Sequence, residues 1–298
     1  MTRCALITGI SGFTGKYMAS ALQAIGYEVF GSSLEPNNDP GIIQADLCSL
    51  DSMCNLVKLV NPDVVIHMAA ISNVVHGNIT ELYTTNILGS RNLLQALSEL
   101  KRPLESVMLV SSANVYGNAN SDLITEETQL IPVNDYSVSK LAMENLSLLW
   151  SDQLPIFIVR PFNYTGHGQS KSFLIPKIIE HYVRGAKSIA LGNLDVFREF
   201  NDVRQVVDIY RQLIEIKPIG EVVNVCSGVA YSPSDVIRFM NNIADHEIEV
   251  EIDPRFVRNN EIKILRGSND LLKGLIGPVQ AIPLEETLRW MYESSRCA

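Results

Sequence analysis

The chain is short of charge and of long apolar runs alike. Asp, Glu, Lys and Arg make up 19% of its 298 residues, below the roughly one-quarter usual for soluble proteins, which excludes a charge-swollen disordered chain. No stretch approaches the ~18 consecutive apolar residues of a membrane span. The opening apolar run breaks at a glycine loop before it reaches signal-peptide length. The five cysteines, Cys4, Cys48, Cys54, Cys226 and Cys297, form no C-x-x-C pair and no Cys/His cluster. Their scatter argues against a disulfide framework and a structural zinc site, so reduced thiols, no metal and a cytoplasmic setting are expected. Basic residues are the minority, 24 against 33 acidic, for a net charge of -9. Such a chain repels phosphate backbones, so neither nucleic acid nor a membrane is the expected partner.

What is present is an alternation of short apolar segments with longer amphipathic ones. Strands are predicted at Cys4–Thr8, Glu28–Gly31, Ile42–Ala45, Val64–Met68, Val107–Ser111 and Ile156–Arg160. Helices are predicted at Thr14–Ile25, Ser49–Val60, Thr80–Glu99 and Asp135–Ser151. Strands apolar on both faces require helices on both sides, which predicts an α/β fold with a Rossmann-type doubly wound parallel sheet. Beyond residue 163 the rhythm loosens into a helix (Phe173–Arg184), a strand (Glu221–Val225), a helix (Pro233–Ala244), a strand (Ile248–Ile252) and a last helix (Leu284–Ser294). With no linker between the halves, the expected division is a nucleotide-binding domain over 1–163, rejoined by 202–226. A smaller, interleaved lobe over 164–201 and 227–298 would bind substrate.

Chemistry enters at Gly9-Ile10-Ser11-Gly12-Phe13-Thr14-Gly15, between the first strand and the first helix. Gly9 suits the tight turn, Gly12 the close approach of a pyrophosphate, and Gly15 the packing of helix on strand. Exposed amides at the helix start would bind the phosphate charge. The second strand ends in Gly31-Ser32-Ser33-Leu34-Glu35, with no carboxylate where a ribose 2′-hydroxyl would be held. Ser32 and Ser33 could donate to a 2′-phosphate, so NADP(H) is expected ahead of NAD(H), although Glu35, two positions later, could serve NAD.

The second constellation is Tyr136-Ser-Val-Ser-Lys140, preceded by Ser111-Ser112-Ala113-Asn114. Residues four apart share a helix face, so Tyr136 and Lys140 can address one bound nicotinamide ribose. An ammonium beside a phenol favours the phenolate, which makes Tyr136 a usable acid–base group, while Ser112 orients the carbonyl or hydroxyl.

Together these residues resemble the extended short-chain dehydrogenase/reductase family, whose members act mostly on nucleotide sugars, and the resemblance runs the whole chain. It implies cofactor contacts from Asp46-Leu47 after the third strand and from Met68-Ala69-Ala70 after the fourth. Arg160-Pro-Phe-Asn163-Tyr-Thr-Gly166-His167 resembles a family segment in which the Asn contacts the substrate nucleotide. Arg198-Glu-Phe-Asn-Asp202 and Arg258-Asn-Asn-Glu261 are similar to segments whose arginines bind the diphosphate. Two stretches with a local excess of positive charge, residues 171–187 and 255–273, fall in the same lobe, where a dianion would be drawn.

Family dehydratases carry an acidic pair after the catalytic Ser/Thr, whereas Ala113-Asn114 stands here, and neither can move a proton at neutral pH. Gly192–Phe200, Val223–Gly228 and Arg266-Gly-Ser-Asn269 resemble reductases of GDP-4-keto-6-deoxy-mannose. The reading is an NADPH-dependent reductase at C4 of a nucleotide-linked 4-keto-6-deoxy sugar. A 4-epimerase with tightly bound NAD and a non-catalytic NADP-binding sensor are the alternatives. The resemblance also implies a homodimer through the helices at 80–99 and 135–151, with Leu93, Leu94, Leu97, Leu146, Leu148 and Leu149 as apolar surface.

Overall fold

Alternation along each apolar strand decides which helices it meets. In the computed structural model, which describes residues 2–72, 77–119, 121, 123–257 and 263–296, β1 (Cys4–Thr8) turns Ala5 and Ile7 to one face and Leu6 to the other. The chain continues through α1 (Phe13–Ala24), β2 (Glu28–Ser33), β3 (Ile42–Gln44), α2 (Leu50–Val60) and β4 (Val64–His67). Then come α3 (Ile79–Tyr83), a π-helical turn (Thr84–Gly89), α4 (Ser90–Ser98), β5 (Ser106–Val110), α5 (Asp135–Ser147) and β6 (Ile156–Pro161). The remainder is β7 (Tyr164–Thr165), α6 (Leu174–Val183), β8 (Ser188–Leu191), β9 (Phe197–Arg198), β10 (Asn201–Asp202) and α7 (Val203–Ile216). It ends with β11 (Val222–Val225), α8 (Pro233–Ala244), β12 (Glu249–Ile252), β13 (Ile264–Leu265), α9 (Asp270–Ile276) and α10 (Leu284–Arg296).

Seven strands form one sheet in the order β11-β6-β5-β4-β1-β2-β3, every pair parallel. One face packs Ala5, Ile7, Val64, Ile66, Met108, Phe157 and Val223 against α1 and α7. The other packs Leu6, Val65, Val107, Leu109 and Ile158 against α2, α4 and α5. This is the doubly wound Rossmann-type arrangement, and its order reverses between β1 and β4, which opens a crevice at their carboxyl ends. A separate apolar cluster of α6, α8, α10 and β8 builds the core of the C-terminal lobe.

The helix expected across 80–99 is interrupted. Asn86 turns inward from the π-helical turn, accepting from the Ile71 N–H at 2.8 Å and donating to the Ile71 carbonyl and Ser139 Oγ. One buried amide thus ties the chain after β4 to α5, and the wider turn is the local cost of aiming it there. The predicted helix 135–151 ends at Ser147 and tightens into a 3₁₀ turn. α7 was not expected, although Val203, Val206, Val207, Tyr210, Leu213 and Ile214 form a buried stripe along it. Leu93, Leu94 and Leu97 are consumed by the chain's own core. Leu148 and Leu149 stay 65% and 70% exposed.

Candidate active site

The glycine loop closes the crevice from below. Gly9 has φ +75°, and a Cβ there would stand 2.9 Å from Ala69 Cα, so only glycine allows β1 and the chain after β4 to approach so closely. Thr8 Oγ1 accepts from the Met68 and Ala69 N–H groups, each at 3.2 Å, and aligns that second segment. α1 follows its N-cap Gly12 with no side-chain cap and no acid in its first turn, which leaves its first N–H groups for a ligand or water. An anionic cofactor fits this cradle. Thr14 and Phe13 face Tyr164, by a 2.8 Å hydroxyl pair and a stacked ring contact.

Ser32 and Ser33 end β2 at the same edge, Ser32 opposite Thr8 of β1. Glu35 and Lys16 are both solvent-exposed. Asp46 is exposed after β3, its Oδ1 accepting from the Cys48 N–H at 2.8 Å, while Leu47 packs inward beneath Gly89. Met68, Ala69 and Ala70 are half-buried along the crevice wall.

His67 has a single consistent protonation pattern. Thr8 Oγ1 already accepts two N–H groups and so gives its proton to His67 Nδ1 at 2.7 Å. Nε2 then donates to Ser90 Oγ at 2.8 Å, which donates to the Asn86 carbonyl. Burial, with the nearby Lys140 charge, pushes the His67 pKa down to about 3. An unfolded chain takes up this proton near pH 6.5 and the folded one does not, so folding stability falls as pH drops from about 6.5 towards 3. We expect the loss to approach about 1.4 kcal/mol per pH unit from this group alone. Replacing His67 by Gln should flatten that part of a denaturant-midpoint-against-pH curve.

Ser112, Tyr136 and Lys140 converge beside this crevice. Ser112 follows β5 and caps the 3₁₀ turn Ala113–Tyr116, accepting from the Asn114 N–H at 3.2 Å. Asn134 and Ser137 form a capping box that starts α5, which places Tyr136 in its first turn. Burial drives the Tyr136 phenol above its ordinary value, Tyr164 adds to the rise, and a hydrogen bond with Ser112 opposes it. Lys140 is fully buried, its Nζ donating to the Val110 carbonyl at 2.8 Å. Burial brings its pKa down to about 8, against an upward pull from Glu144. The hydrogen bond with Ser112 is the influence that favours the phenolate before any cofactor is bound.

Of the residues expected to meet substrate, Asn163 is exposed at the end of β6, its carbonyl accepting the Asn201 N–H at 2.9 Å. Arg198 lies in β9, pinned by backbone bonds to Tyr231 in both directions. Arg258 lies outside the described residues. Leu265 pairs with Arg198 in register, so Arg266 emerges from the strand next to Arg198. Its Nε is buried and, among the described residues, without a hydrogen-bond partner, and its carbonyl accepts the Ile124 N–H at 2.8 Å.

Glu199, unremarked in the sequence, nails this region together. It accepts from the N–H groups of Ser227, Gly228 and Gly267, from Ser227 Oγ and from Asn201 Nδ2. Burial raises its pKa and those donors oppose the rise. The two basic stretches are less bare than their composition implies. Arg255 pairs with Asp253, Lys263 with Asp195 and Lys171 with Glu180. The His167 carbonyl accepts from the Tyr17 hydroxyl at 2.7 Å and its ring lies against Trp290.

Among the described residues no group of His, Cys, Asp and Glu is placed to hold a metal ion, and no helix is long and apolar enough to cross a membrane. The chain is 34% identical over 273 residues, 91% of its length and 90% of the relative's, to a GDP-6-deoxy-D-talose 4-dehydrogenase of Aggregatibacter actinomycetemcomitans. A GDP-6-deoxy-D-mannose reductase of Pseudomonas aeruginosa is 33% identical over 301 residues, 97% of this chain and 96% of the relative. The solved structure of RMD from Pseudomonas aeruginosa complexed with NADPH superposes with a TM-score of 0.87 at 31% identity, covering 99% of each chain. Residues 5–226 match the family described as NAD dependent epimerase/dehydratase. The match to that family over most of the chain, with relatives above 30% identity along nearly its whole length, shows that the chain belongs to the NAD-dependent epimerase/dehydratase family.

Proposed function

We propose that the protein is an NADPH-dependent reductase of the C4 ketone of GDP-4-keto-6-deoxy-mannose, serving deoxysugar synthesis for cell-surface polysaccharide. The observation that carries this reading is the convergence of Ser112, Tyr136 and Lys140 on the crevice above an uncapped α1, with Ala113 and Asn114 next to Ser112. That set can shuttle one proton to a carbonyl oxygen and lacks an acid for a second, dehydrating transfer. Residues 1–163 with 202–226 form the nucleotide-binding part, and 164–201 with 227–298 the substrate lobe.

When bound, the nicotinamide supplies the hydride. Ser112 holds the ketone oxygen by hydrogen bond. Tyr136 gives its phenolic proton to the alkoxide forming there. Lys140 stabilises the phenolate left behind and holds the ribose hydroxyls. Ser32 and Ser33 offer donors, and no repelling carboxylate, to a 2′-phosphate; the NADPH complex of the Pseudomonas relative supports the same choice. Arg198 in β9 and Arg266, one residue past the paired strand β13, would hold the sugar-nucleotide diphosphate, for which paired guanidiniums are suited. The exposed Leu88, Val138, Leu148 and Leu149, on the π-helical turn, α5 and the turn after it, support a homodimer through this side of the molecule.

The test is NADPH consumption across GDP-, dTDP-, UDP- and CDP-linked 4-keto-6-deoxy sugars, with the product ring assigned by NMR. We expect the GDP substrate to have the highest kcat/KM, with NADPH preferred over NADH. Purified protein carrying tightly bound NAD, with no net NADPH consumption on any of the four, would overturn the proposal in favour of a 4-epimerase.

A further inference from the structure

Behind the catalytic group lies an ion pair that the reaction as written does not use. Arg160 and Glu144 are each 5% exposed, and Arg160 grips the carboxylate with two hands, Nε to Oε1 at 3.0 Å and Nη2 to Oε2 at 2.7 Å. Ser111 Oγ donates to the same Oε1. The third hand of Arg160, Nη1, donates to Tyr116 Oη at 3.0 Å, and Tyr116 donates to Asn224 Oδ1 at 2.7 Å. Burial works against the guanidinium, and its bonds to Glu144 and Tyr116 more than offset that, so its pKa lies above the ordinary value.

Each arm of this network ends at the active site. Ser111 is the residue before Ser112. Glu144 lies one helical turn beyond Lys140 on α5, four residues on, so the two share a face. Arg160 begins the segment that leads to Asn163, and Tyr116 closes the 3₁₀ turn that Ser112 opens. A buried ion pair of this kind is commonly no more stabilising than apolar residues of the same volume. Stability alone therefore gives little reason for its place.

We propose that the Glu144–Arg160 pair is a positioning device for catalysis: through Ser111, Glu144 fixes the strand end that presents Ser112, and the pair sets a carboxylate one helical turn from the buried Lys140 on the same face of α5. Glu144 is the charge that raises the Lys140 pKa against burial. The other titratable groups on elements packed against α5 are accounted for. Tyr83 of α3 donates to Asp135 at 2.8 Å, Glu81 lies at the exposed start of α3, and Arg91 of α4 stacks on Trp150. His67 is neutral, Tyr116 is held near 12 by burial, and Tyr164 bonds Thr14. Glu144 is the acid among them that bears on Lys140.

The inference rests on the assignment of Tyr136 and Lys140 as the acid–base pair, and the experiment separates the two. Glu144→Gln alone leaves a buried guanidinium unpaired and can fail to fold. The decisive variant is therefore the double replacement Glu144→Gln with Arg160→Met, which removes both charges and is near-neutral for folding. In wild type, NADPH affinity and kcat/KM should fall as pH rises through about 8. In the double variant both alkaline limbs should move about one pH unit or more to lower pH, with a thermal midpoint close to wild type. Glu144→Asp, which keeps a carboxylate beside Arg160, should leave both limbs near their wild-type positions. A folded double variant with unmoved limbs would overturn the inference while leaving the acid–base assignment intact. Limbs that persist in Lys140→Met would overturn that assignment itself.

Discussion

Tyr136→Phe should lower kcat for the keto-sugar by about a thousandfold, within the range that a positioned acid–base group contributes, while NADPH binds within a few-fold of wild type. The hydroxyl lost is the one the site surrounds: buried, hydrogen-bonded by Ser112 and four residues from Lys140 on the same helix face. The ring itself can stay, since Phe fills the same volume in a well-packed site. Stopped-flow hydride transfer measures the first quantity and quenching of NADPH fluorescence the second. Near-normal turnover would sink the assignment of Tyr136 as the proton donor. Weak NADPH binding with intact turnover per bound complex would make Tyr136 a cofactor ligand only.

The magnitude depends on Tyr136 being neutral before the reaction. Burial ensures that: the phenol is held protonated and ready to donate, and the work of the site is to accommodate the phenolate afterwards. Lys140 serves that step only while charged. Burial brings its pKa to about 8, so activity is expected to fall as pH rises past that point, whereas His67 stays neutral down to about pH 3.

The N-terminal half was legible because its signals are local. Gly9, Gly12 and Gly15 sit at a strand-to-helix turn, and the strand alternation of Ala5, Leu6 and Ile7 maps directly onto two opposed helix layers. Tyr136 and Lys140 were legible from helix spacing. The C-terminal lobe was less so, since its strands β7, β9, β10 and β13 are two residues long and exist only by pairing with distant segments. Register, invisible in one sequence, is what puts Arg266 beside Arg198 and brings the Gly267 N–H to Glu199. The stripe of α7 could have been read from Val203, Val206, Val207, Tyr210 and Leu213, all at helical spacing. Asn86 could not, because a π-helical turn defeats the 3.6-residue period that a continuous helix at 80–99 assumed.

The second large effect is expected at Gly15, through backbone alone. A Cβ there would lie 2.4 Å from the Gly9 carbonyl oxygen, 2.6 Å from that of Ile10 and 2.7 Å from Ile10 Cα. All three are backbone atoms of the turn, so none can swing aside as a side chain would. Gly15→Ala must open the loop and rotate the first N–H groups of α1 away from the crevice. Losing one or two charge-assisted hydrogen bonds to the pyrophosphate, at about 1.5–3 kcal/mol each, should weaken NADPH binding at least about tenfold. Overpacking should also lower stability by about 1–3 kcal/mol. Gly274→Ala makes the control: it lies in α9 with nothing within 4 Å of the added methyl. There the helix gains up to about 1 kcal/mol and NADPH binding stays as it was. Isothermal titration with NADPH and a urea melt on both variants decide the matter. Wild-type affinity in a folded Gly15→Ala protein would mean that the diphosphate does not rest on this loop.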